Sequence, residues 1–275
     1  MAYHQDDYEP AVAYHQKAIT LYKRLGQQYA ATRLLSNLGA LAVNRGDYQN
    51  AQQLFDESLA GAREAGDRRS VALCLYNLGV LACVTGDFEQ ARLVLEECVT
   101  VSREQGKWSA AGALQQLGWV RHAQGRHEQA RPLLMESLDM HREFEDKLGV
   151  ARTLYYLGMV CHDEGDIAAA KAQLHEALTV EQTVGDRILS ASTLEALAGL
   201  SLEFASPLDA ARLWGAAQCV REEIGAPQEL VLKGRCGRQI AAARQACRDD
   251  AAFDAAWSEG RTMTLEAAVR LALEL

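Results

Sequence analysis

Along most of the chain, apolar residues return at the i, i+3, i+4 spacing that places them on one face of a helix. The large ones come in sets: Leu38, Leu54, Phe55 and Leu59; Leu78, Leu93 and Leu95; Leu117, Leu133, Leu134 and Leu138; Leu157, Leu174 and Leu178. The sets themselves repeat. Leu38-Gly39, Leu78-Gly79, Leu117-Gly118, Leu157-Gly158 and Leu197-Ala198 succeed one another every 40 residues, with one step of 39. Ala11, Ala51, Ala91, Ala130, Ala170 and Ala210 form a second ladder whose single short step falls in the same unit. Two ladders that lose a residue at the same place belong to one structural repeat.

Turn residues fall between the ladders: Gly46-Asp47, Gly86-Asp87, Gly125-Arg126, Gly165-Asp166 and, in the same slot, Ala205-Ser206. A glycine ends a helix in the left-handed conformation, and Asp or Ser then accepts the free N–H groups of the next helix. Each unit is therefore predicted to be a helical hairpin. Gly26, Gly66, Gly106, Gly185 and Gly225 close the second helix, and Glu145 takes that slot once, so its junction is expected to be the least sharply capped. Gly39 opposite Ala51 is expected to let the two helices of a hairpin cross at close range. The architecture predicted is all-α, a solenoid of antiparallel hairpins over residues 1–225, comprising a half repeat and five hairpins. Residues 226–275 form a helical segment capping the open end of the stack. There Phe253 and Trp257 share an apolar face, and Thr264 caps a last helix with the stripe Leu265, Ala268, Val269 and Ala272.

Composition narrows the function. The net charge of −9 opposes a phosphate backbone, so direct nucleic-acid binding is not expected. The basic residues Lys233, Arg235, Arg238, Arg244 and Arg248 mix with Asp249 and Asp250 and read as a solvated helix face. Seven cysteines without a C-x-x-C pair argue against a disulfide framework or a zinc knuckle and for small buried hydrophobes in the cytoplasm. No run of 18 apolar residues suggests a membrane span. Neither a nucleophile elbow nor H-E-x-x-H nor a P-loop occurs, so no catalytic residue, metal or cofactor is assigned. Cys161-His162-Asp163-Glu164 with His122 is the one cluster of ligand-type residues, and its place at a helix end gives it a simpler origin.

The Leu-Gly pair followed by Ala-x-x-x-Phe (Leu38-Gly39, Ala51, Phe55) resembles the tetratricopeptide repeat, with a longer period than the usual ~34 and no closing proline. The resemblance implies a right-handed superhelix whose first helices line a concave surface. Gly46-Asp47-Tyr48 and Gly86-Asp87-Phe88 resemble turns in large bacterial ATP-dependent transcription regulators of the LuxR type, and Asn37-Leu38-Gly39 and Asn77-Leu78-Gly79 resemble eukaryotic Leu-Gly-Asn adaptors. The stretch from Pro207 through Ala217, with Phe253, Trp257, Gly260 and Met263 to Ala268, resembles the closing segment of the bacterial regulators. Their ATP-binding and DNA-binding parts have no counterpart in this sequence.

Residues just before each Leu-Gly pair, and two and five after its leucine, share one face of the first helix. This face carries Asn37; then Tyr76 and Asn77; then Gln116, Trp119 and His122; then Tyr155, Tyr156, Met159 and His162. Amides suit the backbone of a bound peptide, and aromatics give rigid apolar contact. These residues are the expected groove for a partner protein, a peptide or a small effector, with inter-repeat packing the competing reading for Trp119, Tyr155, Tyr156 and Met159. The alternative is a spacer or dimerisation scaffold that positions flanking domains.

Overall fold

The computed structural model describes residues 5–225 and 230–275. Among them it contains helices only: α1 (Gln5–Arg24), α2 (Gln28–Asn44), α3 (Tyr48–Glu64), α4 (Arg68–Thr85), α5 (Phe88–Gln105), α6 (Lys107–Ala123), α7 (His127–Glu143), α8 (Lys147–Asp163), α9 (Ile167–Val184), α10 (Arg187–Ser201), α11 (Pro207–Ile224), α12 (Leu230–Cys247), α13 (Asp250–Thr262) and α14 (Leu265–Glu274). None of the described helices is long and apolar enough to cross a membrane. The chain divides into two compact units, residues 1–120 and 121–275.

The helix boundaries follow the turn chemistry. Asp47, Asp87 and Asp166 accept from Asn50, Gln90 and Ala169 N–H at 3.3, 3.0 and 3.0 Å, and Ser206 accepts from Leu208 N–H at 3.2 Å. The helices that open each repeat use the same device, with Asp67, Asp146 and Asp186 capping α4, α8 and α10. Arg126 has no side chain able to cap and makes no such bond. Glu145 enters the left-handed region at φ 56°, where the other repeats place glycine, and Asp146 still caps α8. The junction thus keeps its geometry at a cost of about 1–2 kcal/mol for a side chain in that conformation.

In the first unit, α2 packs on α3 and α4 on α5, and the successive first helices α2 and α4 touch. A Cβ on Gly39 would strike the Phe55 ring, and one on Gly79 would lie 2.5 Å from Leu95 Cδ2. The close crossing therefore admits the large residue one turn beyond the ladder alanine; Ala51 itself is fully buried beside it. In the second unit Gly158 admits Leu174 in the same way, 2.6 Å from its Cγ. Leu93, expected in the core, is 53% exposed, because the buried face of α5 runs through Ala91, Leu95 and Cys98 and leaves Leu93 on the opposite side. Of the cysteines, Cys74, Cys98 and Cys161 are buried and the other four only partly so.

Exposed ion pairs join equivalent positions of neighbouring second helices: Lys23 with Glu57 and Arg63 with Glu97 in the first unit, Arg142 with Glu176 in the second. Each contributes roughly 0–1 kcal/mol. The residues after 225 belong by their contacts to the second unit. α13 lies against α11 so closely that a Cβ on Gly215 would strike the Trp257 carbonyl and one on Gly260 the Arg212 carbonyl. Phe253 is fully buried there, and Trp257 donates its indole N–H to Gln218 at 3.0 Å. Thr264 caps α14, whose Ala268, Val269 and Ala272 are buried against α9, α10 and α11. Trp214, in the large-residue slot of the last repeat, is 2% exposed.

Candidate functional site

The predicted groove residues separate by unit. In the first, Asn37 is exposed, Tyr76 and Asn77 are half-buried, and Gln116 and Trp119 are buried. In the second, His162 is half-buried, whereas His122, Tyr155, Tyr156 and Met159 are buried. At these positions the structure favours packing over an open groove: Trp119 and Tyr155 are each 4% exposed and Met159 3%. The face that the Leu-Gly register defines is wider than an open groove needs. In the second unit α8 lies beside α10, so part of that face goes into packing, and the adjacent Tyr155 and Tyr156 rings stack tilted at 5.5 Å.

What remains open in the second unit is a shallow recess of about 20 Å³, room for about one water molecule, between three helices. Tyr155, Met159 and His162 come from α8; Ser192, Glu195 and Ala196 from α10; Arg235, Cys236 and Gln239 from α12. The first three are predicted groove residues, brought together as the register implies. The α12 side is new. The basic segment read as a solvated face turns one of its arginines inward, and no local pattern marks Arg235 apart from its neighbours.

Charge on this surface is arranged in two groups. Arg235 lies 2.7 Å from Asp163 Oδ1 and 2.9 Å from Oδ2, and donates to His162 Nδ1 at 3.0 Å. His122 Nε2 reaches the same carboxylate at 3.1 Å. Burial pushes the His122 imidazole down to about 4 and lowers His162 as well, with Arg235 adding to the effect on His162. Both rings are thus neutral near pH 7, and Asp163 carries the charge that Arg235 matches. In the second group, Arg221 makes a bidentate pair with Glu195 at 2.7 and 3.0 Å and also donates to Ser192 Oγ at 2.9 Å. That fork fixes one wall of the recess.

Ligand-type atoms of His122, His127 and Asp163 lie within 4.8 Å of one another. Cys161 and Glu164 are not part of this cluster; Glu164 pairs with Arg131. The guanidinium of Arg235 on the Asp163 carboxylate opposes a second positive charge there, so the trio belongs to the ion-pair network. Asp163 and Glu195 are both paired with arginines, so the site presents an apolar wall from Tyr155 and Met159 and a rigid polar wall from the Arg221–Glu195 fork.

Residues 29–104 and 108–183 match the family described as tetratricopeptide repeat. Among solved structures, the crystal structure of BtubC (BKLC) from P. vanneervenii is similar, with 19% sequence identity, a TM-score of 0.58, and coverage of 87% of this chain and 92% of that one. At that identity the likeness concerns the fold alone. No curated protein matches the sequence.

Proposed function

The chain belongs to the tetratricopeptide-repeat family, whose repeats generally mediate protein–protein interaction, and from that premise we propose that it is a non-enzymatic interaction module binding a partner protein segment. The observation that carries this reading is the recess on α8 and α10, where three predicted groove residues meet a paired carboxylate and a buried arginine fork. Its likeness in turns and tail to large bacterial LuxR-type regulators suggests a sensory role in a cytoplasmic signalling or transcription protein. The acidic charge directs the choice toward protein partners and away from nucleic acid.

The test uses half-buried positions, because truncating Trp119 or Tyr155 would unfold the core as well as alter the surface. Full-length chain carrying Tyr76→Ala with Asn77→Ala, or His162→Ala, is compared with wild type for capture of partners from the host lysate, identified by mass spectrometry. Arg63→Ala, at an exposed ion pair on a second helix, is the control. The reading expects specific partners to be lost from the first-helix variants and kept by the control, at unchanged melting temperature. Identical capture by all three would refute it.

A second reading, a dimerisation scaffold, draws on exposed apolar residues at equivalent turns of successive repeats in the second unit: Phe144, Leu148, Val184 and Ile188, between 38 and 55% exposed. Sedimentation as a dimer that Ile188→Asp dissociates would favour it.

A further inference from the structure

α12 is attached unlike its neighbours. Among its described side chains Ala243 is fully buried and Cys236 and Ile240 are half-buried, while toward α8 and α10 Arg235 and Gln239 make polar contacts. Gly234 and Gly237 lie inside the helix, where each weakens it relative to alanine. Two internal glycines and a polar seat on α8 and α10 lower the free energy at which such a helix opens locally.

The inward residues of α12 are regularly spaced. Arg235, Gln239 and Ala243 recur every four residues and so lie on one face. Arg235 sits on Asp163 and His162 of α8. Gln239 lies over Gly199 of α10, where a Cβ would be 2.5 Å from its amide nitrogen, so the missing side chain makes the seat for the amide. With α12 lifted away, Asp163 would lose the guanidinium that matches its charge. An unpaired carboxylate beside an apolar wall and a glycine notch is complementary to a helix that brings an arginine and, one turn on, a short amide.

We propose that α12 is a built-in, displaceable occupant of the α8–α10 surface, and that the partner recognised there is an α-helical protein segment presenting arginine, then an amide one turn on, then alanine two turns on. The inference rests on the interaction-module reading and specifies its ligand. While α12 is seated it competes with that ligand, so apparent affinity is reduced by the fraction of molecules in which the surface is open.

The probe is a fluorescein-labelled peptide of residues 230–247, titrated against full-length chain and read by anisotropy. Arg235→Asp in the chain places a carboxylate against Asp163 and unseats the resident helix. The peptide should bind this variant about tenfold or more tighter than it binds wild type. Adding Asp163→Asn should take the gain away. Hydrogen exchange on the unmodified chain supplies a readout that needs no variant: amides of 238–247 should exchange at least about tenfold faster than those of α13. Equal affinity of the peptide for wild type and Arg235→Asp, no binding to either, or α12 protection equal to that of α13 would each overturn the proposal. If lysate partners bind the first-helix face while the peptide does not, this inference falls and the interaction-module reading stands. Loss of both would remove the reading itself.

Discussion

α12 and α13 follow one another in the chain, and they are held by opposite means. α13 crosses α11 at backbone distance, with Gly215 and Gly260 each yielding to the other helix's carbonyl, and it buries Phe253 completely. Among the described residues, α12 meets α8 and α10 through an ion pair and an amide over a glycine, buries only Ala243 completely, and reaches α13 through Arg244, which pairs with Asp254. The two modes scale differently. Apolar burial at close range gains roughly 25 cal/mol per Å² and is lost only when the whole contact opens. A part-exposed ion pair contributes little net free energy, since the same charges are well solvated when apart. A helix can therefore be well placed by polar contacts and still be easy to displace, and α13 marks what permanent attachment looks like in the same segment.

Phe253→Ala tests the permanent side most severely. It empties a fully buried aromatic slot and should cost about 3–5 kcal/mol in urea unfolding. A change below ~1 kcal/mol would mean that α13 is no better anchored than α12. Gly260→Ala asks whether the backbone crossing is as close as described: one methyl group against the Arg212 carbonyl should destabilise by about 1–3 kcal/mol, because neither helix backbone yields as a side chain would. A neutral outcome in calorimetry would show that the helices can separate there without loss.

The same contrast recurs inside the repeats, at the second-helix slot held by Ala62 in the first unit and by Glu181 in the second. Glu181 is 1% exposed, accepts from Thr193 at 2.7 Å, and is pushed up to about 7 by burial. Between about pH 4.5 and 7 the folded chain holds a proton that the unfolded chain has released, so this residue's contribution falls as pH rises through that window. Glu181→Gln should stabilise by about 1–3 kcal/mol at pH 8 and change little at pH 4. The wild-type minus variant difference in urea midpoint, followed across pH, isolates this effect from the buried histidines. Those shift the other way, since burial lowers His122, His141, His162 and His175 and they cost stability as pH falls below the ordinary histidine range. A flat difference curve would contradict the buried-carboxylate assignment.

The smallest expected effect falls on α12 itself. A Cβ on Gly237 would meet nothing, so Gly237→Ala should add about 0.5–1 kcal/mol of helix stability without a clash. Its signature is slower amide exchange confined to α12, with α13 unchanged. If exchange slows equally in both helices, they open as one unit and the distinction between them is lost.

Much of this was legible in the residues. The two ladders placed the hairpins, the Gly-Asp pairs placed the caps, and the slot of Trp214 announced a buried side chain, because each signal is local and is repeated along the chain. The groove row was legible as a register but not as a surface: the same spacing that aligns Asn37, Asn77 and Tyr156 on one face cannot tell which part of that face a neighbouring helix will cover. Asn37 stays exposed while Tyr155 and Met159 are buried. The sequence by itself determined the repeat length, the helix ends and the ladder slots of the core, which follow from periodicity and turn chemistry within a few residues, though not the exposure of Leu93. Only the tertiary structure decided that Arg235 meets Asp163 and that Gln239 lies over Gly199. Those meetings depend on the path the chain takes after its last repeat, and an ion pair between residues so far apart leaves no pattern at either end.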